Sequence, residues 1–419
     1  MQVRRDYNRP FFSNKRRGMG SRGVLVFGIM LGGIAVFLAL QFDRIQLTAL
    51  EAVGFAPTAT PFASSLAVQG SQMYIEGNVG GAVNMFSSAL QQQPDNPDYL
   101  YEYGSMLIDM NLVEDAIPVA EHMISTSSQD PRGYALKARA LMWSSPAEAI
   151  QAAILGIDID PSFAPLYAAS GVAYTNLGRW QEGVTEGARA IEINPNDRFS
   201  LFAYQFPLTY VGRYQEAIEY LEQSIAMQPN LAEPYFYLAR LYTLPGVDNP
   251  EMAIATYFRI LEMDPGNAKA NLRLCETFAG VEDADFRVAQ PYCDIAIQLD
   301  PSYASAYRQR GQMQYNRRNY EGSIESFEEC IRLGSDEIEC YYLRGLAHYW
   351  LGECDQSWEI LQESRLRAQT QGEASSVISS IQIGLGNIQE NCAGFANQTV
   401  PTVPPPTAVP PTPIGGGYG

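Results

Sequence analysis

Residues 164–197 read APLYAASGVAYTNLGRWQEGVTEGARAIEINPND, and residues 198–231 read RFSLFAYQFPLTYVGRYQEAIEYLEQSIAMQPNL. Laid one on the other, Gly178-Arg-Trp180 meets Gly212-Arg-Tyr214, Gly183 meets Ala217, Ala190 meets Ser224 and Pro195 meets Pro229. The prolines carry the period outward. Pro161, Pro195, Pro229, Pro265 and Pro301 follow apolar helix ends at intervals of 34, 34, 36 and 36, and Pro94 lies 67 before Pro161. Between them the residues suit helices, with few strand-like alternations. Proline ends each helix because it lacks an N–H and disfavours the helical region for the residue before it. Small residues such as Gly171, Gly183 and Ala190 stand where two antiparallel helices must touch, and large ones fill the remaining gap. Glycine at 178 and 212 supplies the tight bend between the helices. A later unit repeats the scheme with Tyr307, Gly311, Tyr320, Phe327 and Cys330.

At these residues the chain resembles the tetratricopeptide family, whose 34-residue pattern is W-x2-L-G-x2-Y, A-x3-F and a closing proline. The resemblance covers roughly residues 63–371 and divides them into nine units: 63–96, 97–130, 131–163, 164–197, 198–231, 232–267, 268–303, 304–337 and 338–371. The turn at Ser144-Ser145-Pro146 is short, two extra residues enter near 244–250 and again near 281–285, and Pro118 sits inside a second helix. The implied fold is all-α: a solenoid of about nine helix pairs stacked as a right-handed superhelix, because one pair cannot bury its apolar face alone. Val377, Ile381, Leu385 and Ile388 at helical spacing predict a capping helix within 372–392.

Composition places this array in a compartment. The formal charge is −18, yet residues 1–22 hold seven basic side chains (Arg4, Arg5, Arg9, Lys15, Arg16, Arg17, Arg22) against Asp6 alone. The body is therefore strongly acidic and repels phosphate backbones, which argues against nucleic-acid binding. Residues 23–42 carry no charge and would span roughly 30 Å as a helix, one hydrocarbon core. The basic flank keeps the N-terminus cytoplasmic and sends the rest out, so the expected location is a single-pass membrane protein with an extracytoplasmic or cell-surface repeat domain. A cleaved signal peptide is the competing reading. Against it stand the long basic segment, an apolar run longer than 7–15 residues and no A-x-A site. Residues 43–62 then form a stalk, and 393–419 a Pro/Thr/Gly-rich extended tail.

Six cysteines, all between 275 and 392, suggest disulfides in an exported region. The register of the resemblance pairs Cys275 with Cys293, Cys330 with Cys340 and Cys354 with Cys392; free buried thiols are the alternative. No metal-ligand spacing is present and no cofactor is expected. The chemistry of an enzyme is missing too: no G-x-S-x-G, G-x-x-x-x-G-K-[ST] or H-E-x-x-H, no G-x-G-x-x-G opening a helix after a strand, and only His122 and His348 as histidines. Glu282, Asp283 and Asp285 cluster in an inserted loop and read as a solvated acidic turn.

In the resembled family the first helices line a concave groove. Its groove positions deliver Tyr74, Tyr101, Arg139, Trp143, Phe202, Phe206, Tyr210, Phe236, Arg240, Arg308, Gln312, Tyr315, Asn316, Tyr342 and Tyr349. Aromatics with arginine favour contact with proteins or peptides, because they bury much area at low entropy cost. The competing reading puts an aromatic stripe at helical spacing into the core. The expected function is that of a non-enzymatic scaffold or adaptor. Two alternatives compete: a self-assembling surface protein whose tail docks in the groove of another copy, and glycan or cell-wall binding by the same aromatics.

Overall fold

A computed structural model describes residues 61–280 and 286–399. Among these residues every regular element is a helix, and the helices fall into pairs. In chain order they are α1 (Ala63–Ile75) with α2 (Val79–Gln92), α3 (Pro97–Asp109) with α4 (Val113–Thr126), α5 (Pro131–Leu141) with α6 (Pro146–Ile159), α7 (Ala164–Asn176) with α8 (Trp180–Ile193) and α9 (Arg198–Tyr210) with α10 (Tyr214–Met227). They continue as α11 (Ala232–Tyr242) with α12 (Pro250–Met263), α13 (Ala268–Gly280) with α14 (Phe286–Leu299), α15 (Ala304–Asn316) with α16 (Tyr320–Arg332), α17 (Ile338–Trp350) with α18 (Cys354–Gln371), and the unpaired α19 (Ser375–Asn391). The described residues thus hold nine pairs and one closing helix, 19 helices in all. None is long and apolar enough to cross a membrane. The apolar run 23–42, the stalk up to residue 60, the acidic cluster 282–285 and the tail from residue 400 lie outside the described residues.

Several helix starts follow from capping chemistry. Asn96 accepts from the N–H groups of Asp98 and Tyr99 at 3.1 and 3.2 Å, with Pro97 in the first helical position. Asp197 accepts from Ser200 N at 2.7 Å, and Asn249 from Met252 N at 3.2 Å. Each satisfies donors that a helix N-terminus leaves orphaned. Helix α4 runs on to Thr126 across Pro118. One further contact recurs. Tyr167, Tyr235 and Tyr307 each donate their hydroxyl to a proline carbonyl six residues earlier, at 3.1, 2.9 and 3.3 Å, and Tyr341 donates to Ser335 O at 2.9 Å. This ties α7, α11, α15 and α17 to the turns that precede them.

Pairs pack through small residues. A Cβ on Gly171 would stand 3.0 Å from the Gly183 carbonyl oxygen and 3.1 Å from the Gly187 nitrogen, so α7 and α8 meet almost backbone to backbone. The core then passes from pair to pair without a break. Ala138, Ala149, Ala169, Ala190 and Ala203 belong to one buried cluster drawn from five successive helices and their neighbours. At the far end α19 buries Ile381, Leu385 and Ile388 against Phe327, Trp358 and Leu361. The six cysteines pair as Cys275–Cys293, Cys330–Cys340 and Cys354–Cys392, with Cα atoms 5.4, 6.4 and 6.2 Å apart. The last pair fastens the end of α19 to the start of α18.

Among the described residues, the bend inside most pairs uses a left-handed residue. Gly178, Gly212 and Gly352 supply it with φ of 74°, 78° and 79°, whereas Arg318 is held at φ 62° in the same turn of the eighth pair. A side chain in this region costs roughly 1–2 kcal/mol. Arg318→Gly should therefore raise stability by about 1 kcal/mol, read as a higher urea midpoint; an unchanged or lower midpoint contradicts the strain.

Candidate functional site

The groove positions separate into three settings. The first is a contact that the period alone does not imply. Asp109, at the end of α3, accepts hydrogen bonds from the Tyr74 hydroxyl of α1 and from Arg139 of α5, and Arg198 of α9 reaches the same carboxylate at 3.2 Å and the Tyr74 oxygen at 2.9 Å. The charged side chains are 10–20% exposed. Nearby, Gln228 and Asn230 at the end of the fifth pair donate to the carbonyls of Tyr74 and Ile75 at 3.1 and 2.9 Å. These are carbonyls that the C-terminus of α1 leaves unpaired. Pair one is thus clasped to pair five, more than 120 residues away. Tyr74 and Arg139 serve this clasp. Burial, then the Asp109 charge, drives the Tyr74 phenol far above its ordinary range. Tyr101 is half-buried beside Phe163, its phenol pushed up to about 12 chiefly by burial.

The second setting is a cleft of about 490 Å³ beside the clasp. Trp143, Phe202, Phe206 and Tyr210 line it, together with Tyr237 of α11. Their rings interlock edge to face: Trp143 with Phe206 at 4.7 Å, Phe202 with Phe206 at 5.6 Å, and Phe206 with Tyr237 at 5.1 Å. Phe206 is 7% exposed and serves the core as well. Trp143 and Tyr210 are about half-exposed. Two polar groups border these rings. Gln205 is 3% exposed, and its Nε2 has no hydrogen-bond partner among the described residues. Arg240 is solvent-exposed and forms no ion pair among them. It also borders an adjoining cleft of about 1010 Å³, where Lys269 stands 4.4 Å over the Phe236 ring, next to Tyr257 and Arg273. Glu233 lines the smaller cleft. It meets solvent, yet the protein walls around it, then the Asp109 charge, push its carboxyl up to about 7.

The third setting is the far end of the array. Arg308 bridges Glu276 at 3.3 Å and Glu337 at 2.6 Å. Gln312, Tyr315, Tyr342 and Tyr349 are half-buried and Asn316 is exposed. Cys330, Glu337 and Cys340 lie close enough to hold an ion, but the two sulfurs are bonded to each other and Glu337 is paired with Arg308. The structure therefore gathers Trp143, Phe202, Phe206 and Tyr210 into one cleft, sets Phe236 and Arg240 beside it, and leaves the residues from 308 onward in a separate region. Asp109 and Gln205 complete the site. Asp109 stands at the thirteenth position of its unit, a groove position, so its register was readable; its partners were not.

The stack of helix pairs with a cleft on its inner face defines an α-solenoid. The chain is a tetratricopeptide-repeat protein: family models described as tetratricopeptide repeat match residues 73–140, 208–233 and 281–338. It is similar to Hsp70-Hsp90 organizing protein 3 of Arabidopsis thaliana, 21% identical over 266 residues, covering 63% of this chain and 41% of that one. It is also similar to mitochondrial import receptor subunit TOM70 of Homo sapiens, 25% identical over 206 residues, covering 46% and 32%. The chain spans less than half the length of these relatives. Among solved structures, the APC/C hetero-tetramer Cut9-Hcn1 shares the fold with a TM-score of 0.55 at 14% identity, covering 73% of this chain and 59% of that one.

Asp109→Asn should leave two buried guanidinium groups facing a neutral amide, at a cost of about 3 kcal/mol. Hydrogen exchange should then rise in α1 and α2 before the rest of the array. Uniform exchange, unchanged from wild type, would show that the clasp holds nothing. Glu233 generates a pH effect of fixed sign. Its folded carboxyl titrates near 7, above the ~4.3 of an unfolded chain, so the stability that it contributes is complete below about 4.3 and is lost as pH rises through 7. Glu233→Gln removes the titration. Its melting temperature should gain on wild type between pH 5 and 8, and parallel curves would refute the assignment.

Proposed function

We propose that this protein is a membrane-anchored scaffold whose extracytoplasmic tetratricopeptide domain binds proteins or peptides along its concave face. The observation that carries the reading is the cleft around Trp143. Aromatic walls suit apolar side chains of a partner, the unpartnered Gln205 Nε2 suits a main-chain carbonyl, and Arg240 suits a carboxylate. Such a site combines the buried aromatic anchors and sparse oriented polar groups that dominate binding energy at protein interfaces. Binding here requires no catalytic group, in keeping with a non-enzymatic role. Three disulfides support an oxidising compartment, and the uncharged run 23–42 behind a basic flank supports a single anchor with the N-terminus inside. The relatives' names, an organizing protein and an import receptor subunit, agree with partner binding.

Detergent-solubilised protein crosslinked in native membranes should recover one reproducible partner. Trp143→Ala with Tyr210→Ala should lower that recovery tenfold or more, since each anchor is worth about 2 kcal/mol. Equal recovery by the double variant would remove the cleft from the interface. Protease added to intact cells should degrade everything beyond residue 62, and full protection would overturn the topology.

A further inference from the structure

The far rim of the array carries an aromatic cluster that the cleft around Trp143 does not use. Tyr315 ends α15, Tyr320 opens α16, and Tyr349 with Trp350 ends α17. The rings of Tyr320 and Trp350 stack at 6.0 Å and 12°. Tyr315 meets Tyr320 edge-on at 5.6 Å, and Tyr349 meets Trp350 at 5.3 Å. The Trp350 indole N–H donates to the Tyr315 oxygen at 3.0 Å, which fixes the indole plane while the residue stays 56% exposed. Trp350 belongs to none of the buried core clusters among the described residues. A fixed, exposed, stacked indole is a platform, and Asn316 beside it is exposed as well.

A related stacked pair, Trp180 with Tyr210, stands at the same register four pairs earlier, at 6.1 Å and 26°. What distinguishes the far cluster is the chain end fastened next to it. Asn391 Nδ2 donates to the Tyr349 hydroxyl oxygen at 3.2 Å. Cys392 is bonded to Cys354, the Phe395 ring packs on Trp358 at 5.4 Å, and the Gln398 carbonyl accepts from Gln389 at 2.6 Å. The continuation from residue 400 reads VPTVPPPTAVPPTPIGGGYG, with seven prolines and no charge.

We propose that the proline-rich segment 400–413 of the same chain docks on the aromatic cluster formed by Tyr315, Tyr320, Tyr349 and Trp350. Proline-rich segments favour the polyproline II helix, whose rings pack on aromatic faces and whose carbonyls accept from neighbouring O–H and N–H groups. The sequence holds two Pro-x-x-Pro frames, Pro401 to Pro404 and Pro410 to Pro413, a spacing that matches that helix's three-residue repeat. Reach is no obstacle, because a polyproline II helix advances about 3.1 Å per residue and the segment starts nine residues beyond Asn391, itself in contact with Tyr349. Tethering supplies an effective concentration in the millimolar range, so a weak contact suffices within one chain. The uncharged segment makes the contact apolar and indifferent to salt. This inference does not rest on the cleft reading, and its failure leaves that reading standing.

The test compares the full chain in detergent with the chain ended after Thr399, using the indole NMR signal of Trp350 assigned through Trp350→Phe. The full chain should show this signal shifted, at an unchanged position over a hundredfold dilution. A synthetic peptide of residues 399–414, added to the shortened chain, should reproduce the shift. Its affinity should hold between 0.05 and 0.5 M salt and fall at least tenfold in Tyr320→Ala. Pro404→Ala with Pro405→Ala in the full chain, which cannot disturb the repeat fold, should abolish the shift. Identical Trp350 signals in the full and shortened chains would overturn the proposal. So would a shift at Trp180 instead, or one that vanishes on dilution, which would assign the segment to a neighbouring copy.

Discussion

Apolar helix faces that no single pair can cover set every other property of the array. Within a pair the backbones approach as closely as Gly171, Gly183 and Gly187 allow, yet each pair still offers a greasy flank. The next pair covers it and exposes its own. The alanine-rich cluster from Ala138 to Ala203 is one stretch of this running seam. Such a chain of dependence has two open ends. One is sealed by α19, whose Ile381, Leu385 and Ile388 are wholly buried and whose end is bonded to α18 through Cys354 and Cys392. At the other the first pair is tied back to the fifth by hydrogen bonds.

That return changes the inner face. A solenoid groove is ordinarily open along its length, but here Asp109, with Tyr74, Arg139 and Arg198 around it, bridges the beginning. Arg139 is held additionally by the Phe199 ring, 4.5 Å from its guanidinium carbon. The ions are mostly shielded from water, so they are worth having only as a complete set. The cleft around Trp143 opens directly beside this cluster and borrows Asp109 and Arg139 as part of its wall. The site is therefore shaped by residues from four different pairs.

The fold was legible because its signals are local. Prolines at a near-constant interval, glycines at 178 and 212 and aromatics after them mark helix ends and turns within a few residues of each other in sequence. The cysteine pairs brought to bonding distance are those named by the register, since each pair of positions belongs to packed neighbouring helices. The groove positions include Trp143, Phe202 and Tyr210, which the structure brings to one cleft. They also enrolled Tyr74 and Arg139, whose task is the clasp. The difference depends on curvature: small rotations between successive pairs, summed over five of them, decide whether Arg198 meets Asp109, and no single unit's sequence states that sum. Gln205 was missed for another reason. Its position in α9 reads as interior, and only the tertiary arrangement puts an unpaired amide at the edge of a cleft. The Tyr167-to-Pro161 hydroxyl contact, repeated in three further units, was readable as a fixed six-residue spacing.

The clasp also bears on the order in which the molecule can come into being. A polypeptide emerges from its N-terminus at roughly 5–20 residues per second. When Tyr74 and Ile75 appear, the side chains that will engage them, Gln228 and Asn230, are still some 150 residues from being made. For several seconds the first pair can stack on its successor while its other flank stays wet and its last carbonyls bond only to water. Closure is then a late, long-range event added to an assembly that otherwise grows by nearest neighbours. The first pair is thus completed only after the fifth, and it waits on side chains synthesised four pairs later.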